Sequence, residues 1–451
     1  MADPWLSIIG LGEDGLNGLP PASRAALDAA EIVIGAPRHL ELAEIGARGQ
    51  AWPVPFDVAP VLAARGRPVA VLASGDPFWH GAGGSLVKHL QRGEWRSFPA
   101  PSVISLAASA LGWRLEEVQA LALHAAPFEQ LTPILAPGTQ ILCTLRDGDA
   151  VTALAAWLTD RGFGASRLTI MEALGGPRQR IRETPASLYA FTDVAHPVTV
   201  AINALGARAL PRAPGLPDDL FAHDGQITKR PIRALTLSAL APRPNEHLWD
   251  LGAGSGSISV EFCLAAPGTT ASAVETRADR AENIRENARR FGLDHRLEVH
   301  EGASLDLLDA LPDPDMIFIG GGASEALLAA LWRRMAPGTS LVMNAVTLET
   351  EALLTRWHGD KGGHLLRIET AEAGPLGTMR GWDRARPVLQ WSVTTCRRGD
   401  RIAGRGLRGR HRRCACPDGW FAGPAGLPGN QENRRIGRIC QKPIPASRCA
   451  E

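Results

Sequence analysis

The stretch His247-Leu-Trp-Asp-Leu-Gly-Ala-Gly-Ser-Gly-Ser-Ile-Ser-Val-Glu-Phe262, followed by Ala273-Val-Glu275, decides the fold. It reads as a buried strand, a tight glycine turn, an amphipathic helix and a second strand ending in an acid, the βαβ unit of an α/β protein. Glycine tolerates φ > 0 and has no Cβ, so a Gly-x-Gly-x-Gly turn lets backbone approach a ligand closely. A carboxylate roughly twenty residues on can accept both hydroxyls of a ribose. The glycines are Gly252, Gly254 and Gly256, with Ala253 and Ser255 between them and Ser at 257. A dinucleotide fingerprint wants its third glycine at that later position. Asp250 just before the turn also suits a methyltransferase better than an NAD site. The motif is therefore read as a site for S-adenosylmethionine, with Glu275 on the ribose, against the plainer reading of an ordinary strand-to-helix turn.

At 451 residues, 45% hydrophobic and 21% charged, the chain has the size and composition of a soluble globular protein with more than one core. No apolar run reaches the roughly 18 residues needed to span a bilayer. The N-terminus, Met1-Ala-Asp-Pro-Trp5, has an acid and no basic region, unlike a secretory signal. A cytoplasmic protein without a membrane partner is expected. The net charge of +1 hides a split, with residues 392–451 at +9 and the rest at −8. An acidic body argues against a nucleic-acid partner. Cys143 and Cys263 lie in the body and are expected to be buried hydrophobes; the other five cysteines lie in the tail.

Several strands are predicted before the signature: Trp5–Ile9, Ile32–Ile34, Pro68–Ala73, Ile141–Thr144, Arg167–Glu172 and Val198–Asn203. Helices are expected near Pro21–Ala30, from about Gly84, and over Ala150–Arg161. This alternation implies α/β layers with mostly parallel sheet. Residues 206–216 are Pro-, Gly- and Ala-rich without apolar period and read as a linker. A second series follows: a helix at Pro231–Leu240, the signature strand at 247–251, and strands at 272–275, 297–300, 315–319, 340–344 and near 386–394. This is the strand complement of one doubly wound sheet. The expected domains are thus 1–205 and 217–391. Residues 392–451 form an atypical tail, read as disordered or out of frame. Cys414-x-Cys416 with His411 has no zinc spacing, and no metal is expected.

Pro217-Asp-Asp-Leu-Phe221, Asp224-Gly-Gln-Ile-Thr-Lys-Arg230, the glycine turn, Ile317-Phe-Ile-Gly-Gly-Gly322 and Asn344-Ala-Val-Thr-Leu-Glu349 together resemble the decarboxylating domain of the precorrin-6Y C5,15-methyltransferase family. The resemblance spans roughly residues 217–391 and implies a Rossmann-like (class I) methyltransferase. It implies that Gly252 to Gly256 wrap the methionine end of the cofactor and that Ala303 lies beside the adenine. Thr228 would close over the cofactor, and Gly320, Gly321 and Gly322 would approach the substrate ring. Lys229, Arg230, Arg380 and Asp383 are candidates to grip or protonate an acetate arm, although each could equally be solvated surface charge.

Residues 1–205 resemble the tetrapyrrole methylase family, a two-lobed (class III) fold, through Gly10-Leu-Gly12, Ser74-Gly-Asp-Pro77, Pro101-Ser-Val-Ile-Ser105 and Glu172-Ala-Leu-Gly175. Here Gly75, Asp76 and Pro77 are the expected cofactor contacts, and His124 is expected to face the substrate groove. The sequence departs from that family at Gly12-Glu-Asp14, where Gly-Pro-Gly is typical, and at Leu123-His-Ala-Ala126, where Ser-x-His-Gly is expected.

The two resemblances imply a bifunctional enzyme of cobalamin biosynthesis with two S-adenosylmethionine sites. It would methylate precorrin-6B at C5 with the N-terminal domain and at C15 with the C-terminal domain, remove the C12 acetate carboxyl and give precorrin-8. The expected partner is a small tetrapyrrole, and a homo-oligomer is expected. Two other readings stand beside this one: an RNA or small-molecule methyltransferase with an accessory domain, and a cofactor-binding regulator without turnover.

Overall fold

His247–Leu251 is a parallel strand whose interior residues are buried, because Leu248, Trp249 and Leu251 leave it no solvent face. It runs into the glycine turn and then helix Ser257–Ala265, which is buried over most of its length. Strand Thr270–Glu275 returns beside it. These elements belong to a computed structural model that describes residues 4–395. The tail read from the sequence lies outside the described residues from 396 onward. Its first three positions belong to strand Val388–Thr394.

The C-terminal sheet has seven strands. Their order is Leu297–Glu301, Thr270–Glu275, His247–Leu251, Met316–Ile319, Ser340–Ala345, Val388–Thr394, His364–Ile368. The first five are parallel and the last two pairings are antiparallel. The order reverses at His247–Leu251, so a crevice opens beyond the carboxyl ends of the central strands. The core packs on both faces of this sheet, with Leu248 and Phe318 on one side and Trp249 and Ile317 on the other.

The N-terminal half contains two five-stranded sheets. The first, ordered Gly49–Ala51, Ile32–Gly35, Val69–Ser74, Leu6–Leu11, Trp95–Phe98, is parallel throughout. The second is ordered Gln119–Ala122, Gln140–Leu145, Val198–Asn203, Arg167–Glu172, Arg180–Pro185. Only its first pairing is parallel. The mostly parallel pairing expected of the chain holds in the other two large sheets and not in this one. Arg167–Glu172 and Arg180–Pro185 are joined by a loop too short for a crossover helix, which only an antiparallel pair allows.

Both ends of the segment read as a linker are pinned. Ala207 N–H donates to the Gly162 carbonyl at 3.0 Å. At the other end Leu216 is buried, and the N–H groups of Gly215 and Leu216 donate to the Glu261 carboxylate at 2.6 and 2.8 Å. Cys143 and Cys263 are buried, and burial pushes each thiol up to about 12. Among the described residues no helix is long and apolar enough to cross a membrane.

Candidate cofactor and substrate clefts

The three glycines of the signature turn all have positive φ, at +70°, +60° and +70°, but they serve different contacts. A Cβ on Gly252 would come 2.5 Å from the Gly321 carbonyl oxygen, so this glycine lets two turns touch. A Cβ on Gly256 would come 2.7 Å from Ile284, a demand of helix packing. Gly254 has open space, its nearest neighbour being the Gln226 carbonyl oxygen at 3.9 Å. Gly254 is thus the position whose missing side chain leaves room for a ligand.

Glu275, at the end of the neighbouring strand, is 5% exposed. One carboxylate oxygen accepts from Gly254 N–H at 2.9 Å, and the other accepts from the N–H groups of Thr276 and Arg277 at 2.9 and 3.1 Å. That second oxygen also accepts from the Thr276 hydroxyl at 3.3 Å, so the lone pair left for a ribose hydroxyl is on the oxygen bonded to Gly254. Asp250 is fully buried, with one oxygen taking both Ser259 N–H and Ser259 Oγ–H. Burial pushes its carboxyl up to about 6 against those two bonds, and the Glu275 charge adds to the push. The Ser255 hydroxyl is buried without a partner beside the same crevice. Open space at Gly254, an acid at ribose distance along the next strand and an orphaned hydroxyl fit an adenosyl amino acid.

The crevice is a cavity of about 860 Å³. Thr228, Gly252, Ala253, Gly254, Ser255, Glu275 and Ala303 line it, as do Gly320, Gly321 and Gly322. Of the candidate charged groups, Lys229 alone lines it; its ammonium faces Asp218 at 4.0 Å. Arg230 is exposed at the start of helix Arg230–Leu240 and is not in the lining. Arg380 and Asp383 are not there either. They sit exposed on strand Met379–Arg384 of a hairpin with Ala371–Leu376, three residues apart and so on opposite faces. Arg280 and Arg386 do line the cavity. Sequence reading missed them, because neither an arginine in the first turn of helix Ala278–Arg290 nor one in a loop, as Arg386 is, has a local pattern that tells cleft from surface.

Also missed was Arg233, fully buried behind the Thr228 loop. It donates to Glu261 Oε1 at 2.5 Å, to Asp218 Oδ1 at 2.9 Å, and to the carbonyls of Thr228 and Leu216. Its guanidinium also lies over the Phe221 ring, 4.8 Å from the centroid. One side chain thereby holds the Thr228 loop to helix Ser257–Ala265.

The N-terminal half has a second cavity, of about 690 Å³, lined from both of its sheets. His124 and Gly75 line it, whereas Asp76 and Pro77 do not. Gly75, at φ +54°, packs where a Cβ would come 2.8 Å from the Pro101 carbonyl oxygen. The Asp76 carboxylate accepts from Phe78 N–H at 2.8 Å, closing its own turn. Next to Gly75, Ser74 Oγ accepts from Arg38 at 2.9 Å and pairs with His39 Nε2 at 2.8 Å. Burial, with the Arg38 charge adding, pushes the His39 imidazole down to about 4, so it is neutral near pH 7. Glu13, where the sequence departs from the family, forms ion pairs with Arg38 and Arg178. Glu172 is buried and bonded to Arg180, Arg182 and Ala195 N–H, so it braces the second sheet.

A doubly wound sheet with this glycine turn and acid, joined to a two-lobed α/β unit with its own cavity, defines a methyltransferase that draws on S-adenosylmethionine. Residues 6–188 match the family described as tetrapyrrole (corrin/porphyrin) methylases, and residues 219–395 match the precorrin methyltransferase domain. The chain is 47% identical over 403 residues to the precorrin-6Y C(5,15)-methyltransferase [decarboxylating] of Sinorhizobium sp, covering 87% of this chain and 97% of that one. It is 39% identical to the enzyme of the same name from Mycobacterium tuberculosis (strain CDC 1551 / Oshkosh), covering 86% and 99%. The chain belongs to the precorrin-6Y C5,15-methyltransferase (decarboxylating) family.

A probable cobalt-precorrin-6B C(15)-methyltransferase (decarboxylating) of Saccharolobus solfataricus is 35% identical over 143 residues, which is 30% of this chain and 72% of that protein. The crystal structure of the C-terminal domain of precorrin-6Y C5,15-methyltransferase from Rhodobacter capsulatus is 56% identical, covering 41% of this chain and all of that one, with a TM-score of 0.40.

Proposed function

We propose that the chain carries two S-adenosylmethionine sites, one in each cavity, and converts precorrin-6B to precorrin-8. In this reading residues 1–205 methylate C5, and residues 217–391 methylate C15 and release the C12 acetate carboxyl as CO₂. The observation that carries it is the presence of two separate cavities, each beside a glycine turn at strand ends, in two differently built units. That C15 methylation and decarboxylation share one name in a relative matched by under a third of this chain supports giving both to one domain.

In the C-terminal cleft, Gly254 leaves the space, Glu275 holds the ribose, Ala303 flanks the adenine and Thr228 covers the site. Bound S-adenosylmethionine supplies an electrophilic methyl group. The protein aligns the macrocycle and excludes water. Lys229, Arg280 and Arg386 give the cleft positive charge for the substrate's carboxylates. In the N-terminal cavity the Gly75 turn shapes the cofactor end, and His124 faces the substrate. We also read the chain as a homo-oligomer, which light scattering tests.

Incubation of the full chain with precorrin-6B and methyl-labelled S-adenosylmethionine, with CO₂ trapped, tests the function. Two labelled methyls and one CO₂ per substrate are expected. Cofactor binding without either product would favour a regulator instead.

A further inference from the structure

Asn344, next to last in strand Ser340–Ala345, lines the C-terminal cleft. Its amide is held from behind by two deeply buried polar side chains, Thr236 and Gln390, which are 0% and 4% exposed. Thr236 Oγ–H donates to the Ile232 carbonyl at 2.8 Å, so its oxygen can only accept from the amides. It accepts from Asn344 Nδ2 at 2.9 Å and from Gln390 Nε2 at 3.2 Å. Gln390 Nε2 also donates to Asn344 Oδ1 at 3.0 Å, using its second hydrogen. Asn344 and Gln390 face each other in the register of adjacent strands. This triad allows one orientation of the Asn344 amide. One N–H and one carbonyl lone pair remain unused, on a half-buried side chain at the cleft.

Buried polar groups that satisfy one another are rigid, and rigidity is costly to build where a hydrophobic residue would serve. Gly321 and Gly322, just past strand Met316–Ile319, leave the neighbouring space open: a Cβ on Gly321 would meet only the Gly252 carbonyl oxygen at 3.9 Å, and one on Gly322 nothing within 4 Å. We propose that Asn344 is a substrate-orienting residue of this cleft, donating its free N–H to the carboxylate of the acetate arm that is lost. The proposal rests on the functional reading above and deepens it.

The chemistry favours a neutral donor at that position. When the arm decarboxylates, the bond between its methylene and carboxyl carbons breaks and CO₂ leaves. The electron pair passes into the conjugated ring system, and a proton from solvent at the methylene then leaves a methyl group. A full ion pair to the carboxylate would stabilise the reactant charge that the reaction removes, and so raise the barrier. A single amide hydrogen bond aligns the arm at far smaller cost to the reaction. Of the cations lining the cleft, Arg280 is bonded to Asp224 at 2.9 Å and Lys229 faces Asp218 at 4.0 Å, and Arg386 is then left for the carboxylates that are kept.

The test uses the full chain, precorrin-6B and methyl-labelled cofactor, reading CO₂ and label separately. S-adenosylmethionine affinity is measured by calorimetry on the same preparations. Asn344→Ala should lower kcat/KM for CO₂ release about tenfold, the value of one oriented hydrogen bond. Asn344→Asp should lower it on the order of a hundredfold, since a carboxylate would face the substrate's own. A half-buried carboxyl facing the substrate's own is raised above its ordinary value of about 4, so as pH falls from about 8 to about 5 the ratio of Asn344→Asp to native CO₂ release should rise as it protonates. Cofactor affinity and labelling at the other carbon should not change. Native-like CO₂ release from Asn344→Asp would overturn the proposal. So would a pH-independent loss that matches a loss of cofactor affinity, because that marks a structural role. No CO₂ from the native chain would overturn the functional reading beneath it, and this proposal with it.

Discussion

Arg233 Nε donates to Glu261 Oε1 at 2.5 Å, with both side chains buried and 28 residues apart in sequence. Arg233 also donates to Asp218 Oδ1 at 2.9 Å and lies over the Phe221 ring. The pair's further hydrogen-bond partners are backbone, the carbonyls of Thr228 and Leu216 and the N–H groups of Gly215 and Leu216. The pair therefore ties the segment entering the domain, the Thr228 loop that lines the cleft and helix Ser257–Ala265 into one unit.

Removing one member of such a pair leaves a buried charge uncompensated, at a cost of about 3–5 kcal/mol. Arg233→Met should lower stability by that amount in denaturant unfolding and weaken cofactor binding, because the Thr228 carbonyl loses its anchor. Unchanged stability would mean that the pair adds nothing to the fold.

The glycine turn should split by position. Gly256→Ala meets Ile284 and a φ of +70° together and should destabilise by roughly 2–4 kcal/mol. Gly254→Ala meets only the backbone strain, about 1 kcal/mol, and should weaken cofactor binding more than it weakens the fold. Thermal unfolding with and without cofactor compares the two, and equal effects on both readouts would contradict the division of roles.

Asp250 predicts a pH signature. An ordinary aspartate titrates near 4 in the unfolded chain, and burial raises this one to about 6 when folded. Between those values the folded state binds the extra proton, so this residue costs stability as pH rises through the window. Asp250→Asn keeps an oxygen for Ser259 and removes the charge. Its melting temperature should exceed that of the native chain above about pH 6, with the gap closing toward pH 4. A gap independent of pH would show that Asp250 does not ionise there.

In the other cavity, Gly75→Ala should press on the Pro101 and Ser102 backbone and distort the turn. Labelling at one carbon should fall at least about tenfold, on the scale set by misplacement in a site, while CO₂ release continues. Loss of CO₂ with it would argue against separate sites.

What could be read in advance followed from locality. His247–Leu251, Arg167–Glu172 and Val198–Asn203 are buried on both faces, and their apolar runs marked them. Strand Arg180–Pro185 alternates exposure with Arg, Glu and Thr side chains at the sheet edge, so its sequence, Arg-Ile-Arg-Glu-Thr-Pro, looks like a loop. The turn around Gly254 was legible because φ > 0 and close approach are properties of a few adjacent residues. The triad of Thr236, Asn344 and Gln390 joins positions up to 154 residues apart, and nothing in any one segment announces it. Arg380 and Asp383 show the converse: charges nominated from the resemblance stand on a hairpin and do not line the cleft.

The central claim is two independent methyl-donor sites in one chain. Gly254→Arg tests it most directly, because its side chain would occupy the open space beside the Glu275 carboxylate rather than the core. With precorrin-6B and methyl-labelled S-adenosylmethionine, the account predicts that CO₂ release and one labelled methyl disappear while the other methyl is still transferred. Loss of both methyl transfers from a chain that still folds would contradict it.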